Sequence, residues 1–232
     1  MNLYNRDILG ESKMERTTLM KHKRKILLSG ISAALFGLLI VLLRFVDVQE
    51  TGAGGTSIGL SHLNGFFFEL TGVNMLWYDI TDWLGIAAIL TAFVFAVAGL
   101  AQLIKRRSFL KVDKEIRCLG GLYLLVIGLY CLFEKVIINY RPVLMPGCLH
   151  PEASFPSSHT MIVCVIMGSA AMLLHRYIRQ KALCRVLAAA CCIIIAVTVV
   201  GRLIAGVHWL TDIIGGLLIS AALLALYSEM ID

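Results

Sequence analysis

This sequence is poor in the features that mark a soluble or multidomain protein. Only 16% of its 232 residues are charged and only four are prolines, whereas 59% are hydrophobic and the mean hydropathy is +0.83. A soluble domain of this length needs more polar surface than this composition supplies. The chain also contains no Pro-rich or Ser-rich linker. It is therefore predicted to form one compact domain within a membrane.

The sequence also lacks the patterns of a disulfide framework or a metal site. The seven cysteines are odd in number and contain no Cys-x-x-Cys spacing, so we interpret them as packing residues. No acidic cluster suited to magnesium lies near the histidines discussed below. The sequence therefore predicts no metal and no cofactor.

Six apolar segments have about the length that crosses a bilayer as a helix, which is ~20 residues. They are Ile26–Val46, Trp83–Ile104, Cys118–Ile138, Met161–Leu174, Val186–Val200 and Trp209–Tyr227. The predicted fold class is all-α, an integral membrane bundle of six transmembrane helices. We divide the chain into a basic N-terminal segment, residues 1–25, and a six-helix membrane domain, residues 26–232, with a long outer loop at 47–81.

The basic residues are distributed very unevenly among the predicted loops. All but four of the 21 Lys and Arg residues precede the first span or lie between spans two and three or spans four and five. This is the positive-inside pattern, and it predicts that both termini are cytoplasmic in a plasma membrane. It also argues against nucleic acid as the reason for the net charge of +6. The outer basic residues are Arg44, Lys135, Arg141 and Arg202.

The predicted outer loop, residues 47–81, combines glycines with an aromatic run and the pair Trp77-Tyr78. Such aromatic side chains favour the membrane interface. Two interpretations stay open: the segment lies on the outer leaflet and shapes the entrance for a lipid tail, or it packs as a cap without substrate contact.

The segment from Arg202 to Asp212 places ionisable side chains at the end of a membrane helix. His208 and Asp212 are four residues apart, which on a helix puts them on one face within hydrogen-bonding reach. A carboxylate on one imidazole nitrogen leaves the other nitrogen free as a nucleophile or base. Arg202 offers a fork of donors suited to a phosphate. The alternative is an ion cluster that anchors the helix, but ionisable residues within membranes are functional by default.

A second outer segment precedes the fourth span. Ser157 and Ser158 are suited to cap a helix, and a helix N-terminus binds anions such as phosphate. His159, in the first turn, is placed to exchange a proton with that anion. The alternative is an ordinary helix cap beside a surface histidine.

A third outer segment closes the third span, where Pro142 is expected to end the helix. Lys135 and Arg141 lie six residues apart, and their long side chains can reach the same point above the membrane. The alternative is that both only snorkel to the interface.

By the predicted topology all three segments share one surface. A phosphoryl-transfer site is indicated by this combination of two histidines, an aspartate, basic side chains and a helix N-terminus. In such a site one histidine attacks phosphorus and the other protonates the departing oxygen.

These residues resemble the type 2 phosphatidic acid phosphatases, relatives of the vanadium haloperoxidases and of glucose-6-phosphatase. The family pattern is K-x6-R-P, P-S-G-H and S-R-x5-H-x3-D, against Lys135…Arg141-Pro142, Pro156-Ser157-Ser158-His159 and Gly201-Arg202…His208…Asp212 here. The resemblance implies that His208 is a nucleophile that forms a phosphohistidine, that Asp212 orients it, and that His159 is the general acid. It implies a phosphate clamp made by Lys135, Arg141, Ser157, Ser158 and Arg202.

The chain departs from the family pattern at three positions. Glu134 stands where the pattern has lysine, and Lys135, one residue later, is turned by about 100° on a helix. Ser158 replaces a glycine and keeps the backbone donor, whereas Gly201 replaces a serine and removes one possible hydrogen bond. Since no catalytic group is lost, we expect an active enzyme.

The resemblance implies a metal-independent lipid phosphatase embedded in the bilayer and acting at the extracytoplasmic face. The candidate substrates that the resemblance suggests are undecaprenyl diphosphate, phosphatidic acid and phosphatidylglycerophosphate. The alternatives are a lipid phosphotransferase with the same phosphohistidine and a catalytically silent membrane scaffold. A transporter is disfavoured because nearly all the charges lie at helix ends.

Overall fold

The structure, a computed structural model, describes the backbone of residues 2–232 and the side chains of residues 19–232. Within this range the chain forms seven α-helices and only isolated β-bridges. The helices are α1 (Asn2–Phe45), α2 (Ser61–Thr71), α3 (Met75–Arg106), α4 (Lys114–Lys135), α5 (Ser158–Tyr177), α6 (Lys181–Ala205) and α7 (Leu210–Ile231). All except the short α2 contain a segment long and apolar enough to cross a membrane. The predicted all-α bundle of six membrane helices is therefore confirmed.

Two predicted boundaries differ from the structure for local reasons. Helix α3 begins at Met75, because the Asn74 side chain accepts a hydrogen bond from Trp77 N at 3.3 Å and caps the helix. Residues 75–81, predicted as the end of the outer loop, therefore form its first turns. The prediction that Pro142 ends the third span is wrong, since α4 already ends at Lys135 and the chain continues as an irregular loop.

Helices α5 and α7 form the centre of the bundle. In each of these two helices 56% of the most apolar 18-residue stretch is buried, compared with 6% to 22% of the corresponding stretch in the other four spanning helices. Close approach of the two helices depends on small residues: a Cβ at Gly216 would lie only 2.9 Å from Thr160 Cβ. The two helices that carry His159 and Asp212 are thus held tightly against each other.

The outer helices expose large apolar side chains along most of their length, among them Leu38, Phe93, Leu124 and Ile193. An apolar surface of this extent suits lipid and not water. Together with the six spans, it identifies a multi-pass membrane protein.

The two ends of the bundle have different roles. At one end Lys25 pairs with Asp232, and Arg176 donates a hydrogen bond to Ile231 O at 2.8 Å. Both ends of the chain therefore lie there, together with the basic α3–α4 and α5–α6 connections. The opposite end holds all the segments predicted to build the site. The cytoplasmic orientation of the termini stays a prediction from the charge distribution.

Helix α2 covers part of this opposite end. Asn64 is completely buried, donates a hydrogen bond to Gly59 O at 2.9 Å and accepts one from Thr211 N at 3.2 Å. The Phe68 and Trp209 ring centroids are 5.6 Å apart. The segment thus packs on the start of α7, which agrees with the cap interpretation of residues 47–81.

Candidate active site

The loop between α4 and α5 is tied to its neighbours by backbone hydrogen bonds. Ser154 N donates to Asn139 O and Arg141 N donates to Glu152 O, both at 3.0 Å. These contacts fold the loop back on itself and bring Arg141 close to the end of α6. The loop therefore has a defined path beside the segment that carries His208.

His208 lies in the turn before α7, and not on the helix that carries Asp212. Helix α6 ends at Ala205 and is capped by Gly206, whose φ of 66° is a left-handed conformation suited to glycine, and α7 begins at Leu210. The predicted shared helical face is therefore wrong. The turn nevertheless places His208 Nδ1 3.6 Å from Asp212 Oδ2, and both side chains are buried. The same Oδ2 accepts a hydrogen bond from Trp209 N at 2.9 Å, so Asp212 also caps α7.

The surroundings of His208 favour its neutral form. Burial holds its pKa well below the usual value, and the positive charges of Arg141 and Arg202 lower the pKa further. The neutral imidazole is the form that has a free lone pair for nucleophilic attack. With Asp212 next to Nδ1, the nitrogen left for chemistry is Nε2.

A narrow pocket lies between His208 and one face of α4. Arg141 and Ser158 line this pocket, and Arg141 Nη1 lies 3.4 Å from His208 Nε2. Arg141 Nε lies 3.0 Å from Glu152 Oε2, which orients the guanidinium. The free imidazole nitrogen, an arginine and the first residue of a helix thus meet at one place, as binding of a phosphate requires.

Arg202 and His159 form a second cluster, against α3. The Arg202 guanidinium carbon lies 4.8 Å from the centroid of the Tyr78 ring, and its Nη1 donates to Thr81 Oγ1 at 3.2 Å. Its Nη2 lies 3.2 Å from Asp82 Oδ1 and also contacts His159 Nδ1. His159 Nε2 is 3.0 Å from the same Asp82 oxygen. Both nitrogens of His159 are thus engaged on the α3 side, away from the pocket that His208 lines.

Asp82 is a candidate site residue that sequence analysis missed. It joins Arg202 to His159 from the first turns of α3. The predicted outer loop ends at residue 81 and the predicted second span begins at Trp83, so Asp82 falls between the two and receives no role from the sequence. A carboxylate inside an apolar helix was the available signal, since such groups are costly unless they are paired.

The two serines before α5 have different roles. Ser157 is completely buried and caps α5, with its Oγ accepting from Thr160 N at 3.4 Å and its N–H donating to Asp212 O at 2.9 Å. Its hydroxyl and its N–H therefore hold the start of α5 in place, and its predicted contact with phosphate stays a prediction. Ser158 does line the pocket, as that expectation requires.

The structure places Lys135, which is predicted to contact phosphate, outside the pocket wall. Lys135 is exposed on the last turn of α4 and is not part of the pocket wall, whereas Glu134 is. The reason is geometric, since one residue along a helix turns the side chain by about 100°. A carboxylate therefore occupies the position where the sequence pattern led us to expect an ammonium group.

Gly201 departs from the family pattern for a reason that the packing explains. A Cβ at this position would lie 2.6 Å from Thr81 Cγ2 and 2.9 Å from Trp77 Cε3. We expect Gly201→Ser to push α6 away from α3, to loosen the contact of Arg202 with Thr81 and to lower the free energy of unfolding by about 1–3 kcal/mol. Thermal unfolding in detergent measures the effect, with Gly30→Ser as control because a Cβ there meets no atom within 4 Å. An unchanged midpoint for Gly201→Ser would contradict the tight contact.

Comparisons with known proteins agree with this architecture. A family model described as the PAP2 superfamily matches residues 116–232. A solved structure described as the first transmembrane PAP2 type phosphatidylglycerolphosphate phosphatase, from Bacillus subtilis, is similar over 87% of this chain and 94% of its own, with a TM-score of 0.56 and 18% identity. At that identity the similarity shows a common fold. No curated protein matches the chain.

Proposed function

Because the chain belongs to the PAP2 superfamily, we propose that it is an integral membrane lipid phosphatase that acts through a phosphohistidine on His208. The observation that supports this proposal most directly is the position of His208 between Asp212 and Arg141. Its Nδ1 faces Asp212 at 3.6 Å, and its Nε2 faces Arg141 at 3.4 Å at the pocket wall. An oriented, neutral imidazole beside a fixed cation is equipped to attack phosphorus.

The proposed reaction has two displacements. In the first, His208 Nε2 forms a bond to phosphorus, the bond from phosphorus to the lipid oxygen breaks, and that oxygen takes a proton from His159. In the second, water gives a proton back to His159 and attacks the phosphohistidine, which releases inorganic phosphate and restores His208. His159 faces Asp82 and Arg202 in the structure, so this role requires its ring to turn toward the pocket when substrate binds.

Two contacts support a phosphate position in the pocket. Arg141 presents Nη1 beside the nucleophile, and Ser158 contributes its hydroxyl and the N-terminal end of α5. Arg202 is completely buried and held by α3. Its proposed role is therefore to stabilise the bound phosphate through its positive charge, from behind His159. Asp212 stabilises the positive charge that His208 acquires during attack.

We place the reaction at the extracytoplasmic face of the plasma membrane. The site lies at the end of the bundle opposite the termini, and the positive-inside distribution of Lys and Arg supports an outer position for that end. The family resemblance suggests substrates of two classes: phosphomonoesters such as phosphatidic acid, and diphosphates such as undecaprenyl diphosphate.

The proposed activity is expected to be independent of metal. The experiment measures inorganic phosphate released by the detergent-purified protein in EDTA, on undecaprenyl diphosphate, farnesyl diphosphate, phosphatidic acid and phosphatidylglycerophosphate. We expect at least one substrate to be hydrolysed at the same rate with and without the chelator. His208→Ala is the negative control. Activity that disappears in EDTA and returns with a divalent cation would contradict the metal-independent mechanism, and folded protein inactive on every substrate would contradict the phosphatase itself.

A further inference from the structure

Glu134 places an acidic side chain in the wall of the pocket where phosphate is proposed to bind. It lies in the last turn of α4 and lines the same space as Arg141, Ser158 and His208. We propose that Glu134 is a specificity-determining residue that restricts the site to lipid phosphomonoesters and rejects lipid diphosphates. This inference rests on the phosphatase function proposed above and narrows its substrate class.

The positive charges near the pocket are already matched by acidic partners. Arg141 is the cation in the pocket wall, and its Nε lies 3.0 Å from Glu152 Oε2. Arg202 is paired with Asp82 on the α3 side. Among the side chains that the structure describes, none of the ion pairs involves Glu134. The charge of Glu134 is therefore free to act on whatever enters the pocket.

The shape of the pocket decides which part of a substrate meets Glu134. Leu129 and Phe133 continue the same wall of α4 from Glu134 toward the membrane interior, since α4 runs toward the site end of the bundle. An apolar wall of this kind suits a lipid tail. A lipid whose terminal phosphate contacts His208 therefore extends past Glu134, so the carboxylate faces the group attached to the reacting phosphorus.

Mono- and diphosphates differ in the charge of that group. In a monoester it is an uncharged alcohol oxygen and carbon chain, which Glu134 tolerates. In a diphosphate it is a second phosphate, whose negative charge is repelled by a carboxylate at close range. Arg141 is the one cation in the described pocket wall, and it is needed at the terminal phosphate. A repulsive contact of this type gives specificity by excluding the wrong substrate.

The test compares two substrates with one tail, farnesyl phosphate and farnesyl diphosphate, in EDTA. Initial rates give kcat/KM for each, and chromatography separates farnesol from farnesyl phosphate so that successive hydrolysis of the diphosphate is not counted twice. We expect the natural protein to prefer the monophosphate. Glu134→Gln is expected to raise the diphosphate-to-monophosphate ratio of kcat/KM by about tenfold, the order expected of one like-charge contact that water largely screens, because Glu134 is exposed. Glu134→Lys is expected to raise the ratio further.

The matched control is Glu69→Gln. Glu69 is an exposed residue of α2 at the same end of the bundle, so this variant makes the same chemical change outside the pocket and should leave the ratio unaltered. If Glu134→Gln does not fold, Glu134→Lys replaces it in the comparison.

The outcomes separate the inference from the function on which it rests. A natural protein that hydrolyses the diphosphate as well as the monophosphate overturns the inference and leaves the phosphatase intact. The same holds if folded Glu134→Gln and Glu134→Lys keep the natural ratio, or if Glu69→Gln shifts the ratio as much as Glu134→Gln does. Folded natural protein that hydrolyses neither substrate nor any member of the wider panel overturns the proposed function itself.

Discussion

Replacement of His208 by alanine is expected to reduce phosphate release by about 10³-fold or more. Without the covalent nucleophile the reaction through a phosphohistidine cannot occur. The residual rate then comes only from substrate binding and charge stabilisation. Arg141 and Ser158 stay in the pocket of this variant and should still bind the phosphate group. The defect is therefore expected in kcat far more than in KM.

Trapping of the intermediate makes this prediction specific. Brief incubation with a substrate labelled in its terminal phosphate should label the natural protein with an acid-labile, base-stable phosphate, the behaviour of a phosphohistidine. His208→Ala should take up no label. His62→Ala is the matched control, because His62 is an exposed histidine at the same end of the bundle that pairs with Asp47 at 2.8 Å. If the His208→Ala protein were labelled, another residue would have to be the nucleophile.

Much of this architecture follows from features that act over short distances along the chain. The six spans were found because hydrophobic length alone decides whether a helix crosses a bilayer. Ser157 is predicted, together with Ser158, to cap a helix because a serine hydroxyl there can accept a hydrogen bond from a backbone N–H of the first turn, and Ser157 accepts one from Thr160 N. His208 and Asp212 lie 3.6 Å apart although they do not share a helix, since a tight turn followed by a helix also brings positions four apart close together.

The features that sequence analysis missed depend on contacts between distant segments. Asp82 and Arg202 are more than a hundred positions apart and meet only because α3 packs on α6 at Gly201. Helical periodicity gives the angle between Glu134 and Lys135, but it does not tell which of the two faces the pocket. That choice is made by the packing of α4 against α5 and α7, and it places the carboxylate in the pocket wall.

The position of His159 links the two clusters of the site. Its ring lines a cavity with Asp82 and Gly85, and not the pocket that Ser158 lines. A Cβ at Gly85 would lie 3.2 Å from His159 Cδ2, so the glycine leaves the space that the ring occupies beside Asp82. The Asp82 carboxylate is therefore suited to hold His159 until a phosphate competes for Arg202.

Substitution of Asp212 by asparagine is expected to lower kcat by about 10²- to 10⁴-fold with little change in thermal stability. The amide oxygen of asparagine can still accept the Trp209 N–H, which Asp212 Oδ2 now accepts at 2.9 Å. What is lost is the negative charge 3.6 Å from His208 Nδ1, and with it the stabilisation of the imidazolium. Because the oxygen that accepts from Trp209 N is also the atom nearest His208 Nδ1, the helix cap and the orientation of the imidazole are kept in this variant.

Comparison of two variants separates the catalytic role of Asp212 from its structural role. Asp212→Ala loses the charge and the cap, so its free energy of unfolding should fall by about 1 kcal/mol relative to Asp212→Asn, while kcat falls to a similar level. Activity assays and thermal unfolding of both proteins in detergent measure the two effects. An active Asp212→Asn protein beside an unstable Asp212→Ala protein would mean that the carboxylate only fixes the start of α7. The expected pattern, in which both variants are inactive and only one is unstable, requires that the negative charge itself takes part in the reaction at His208.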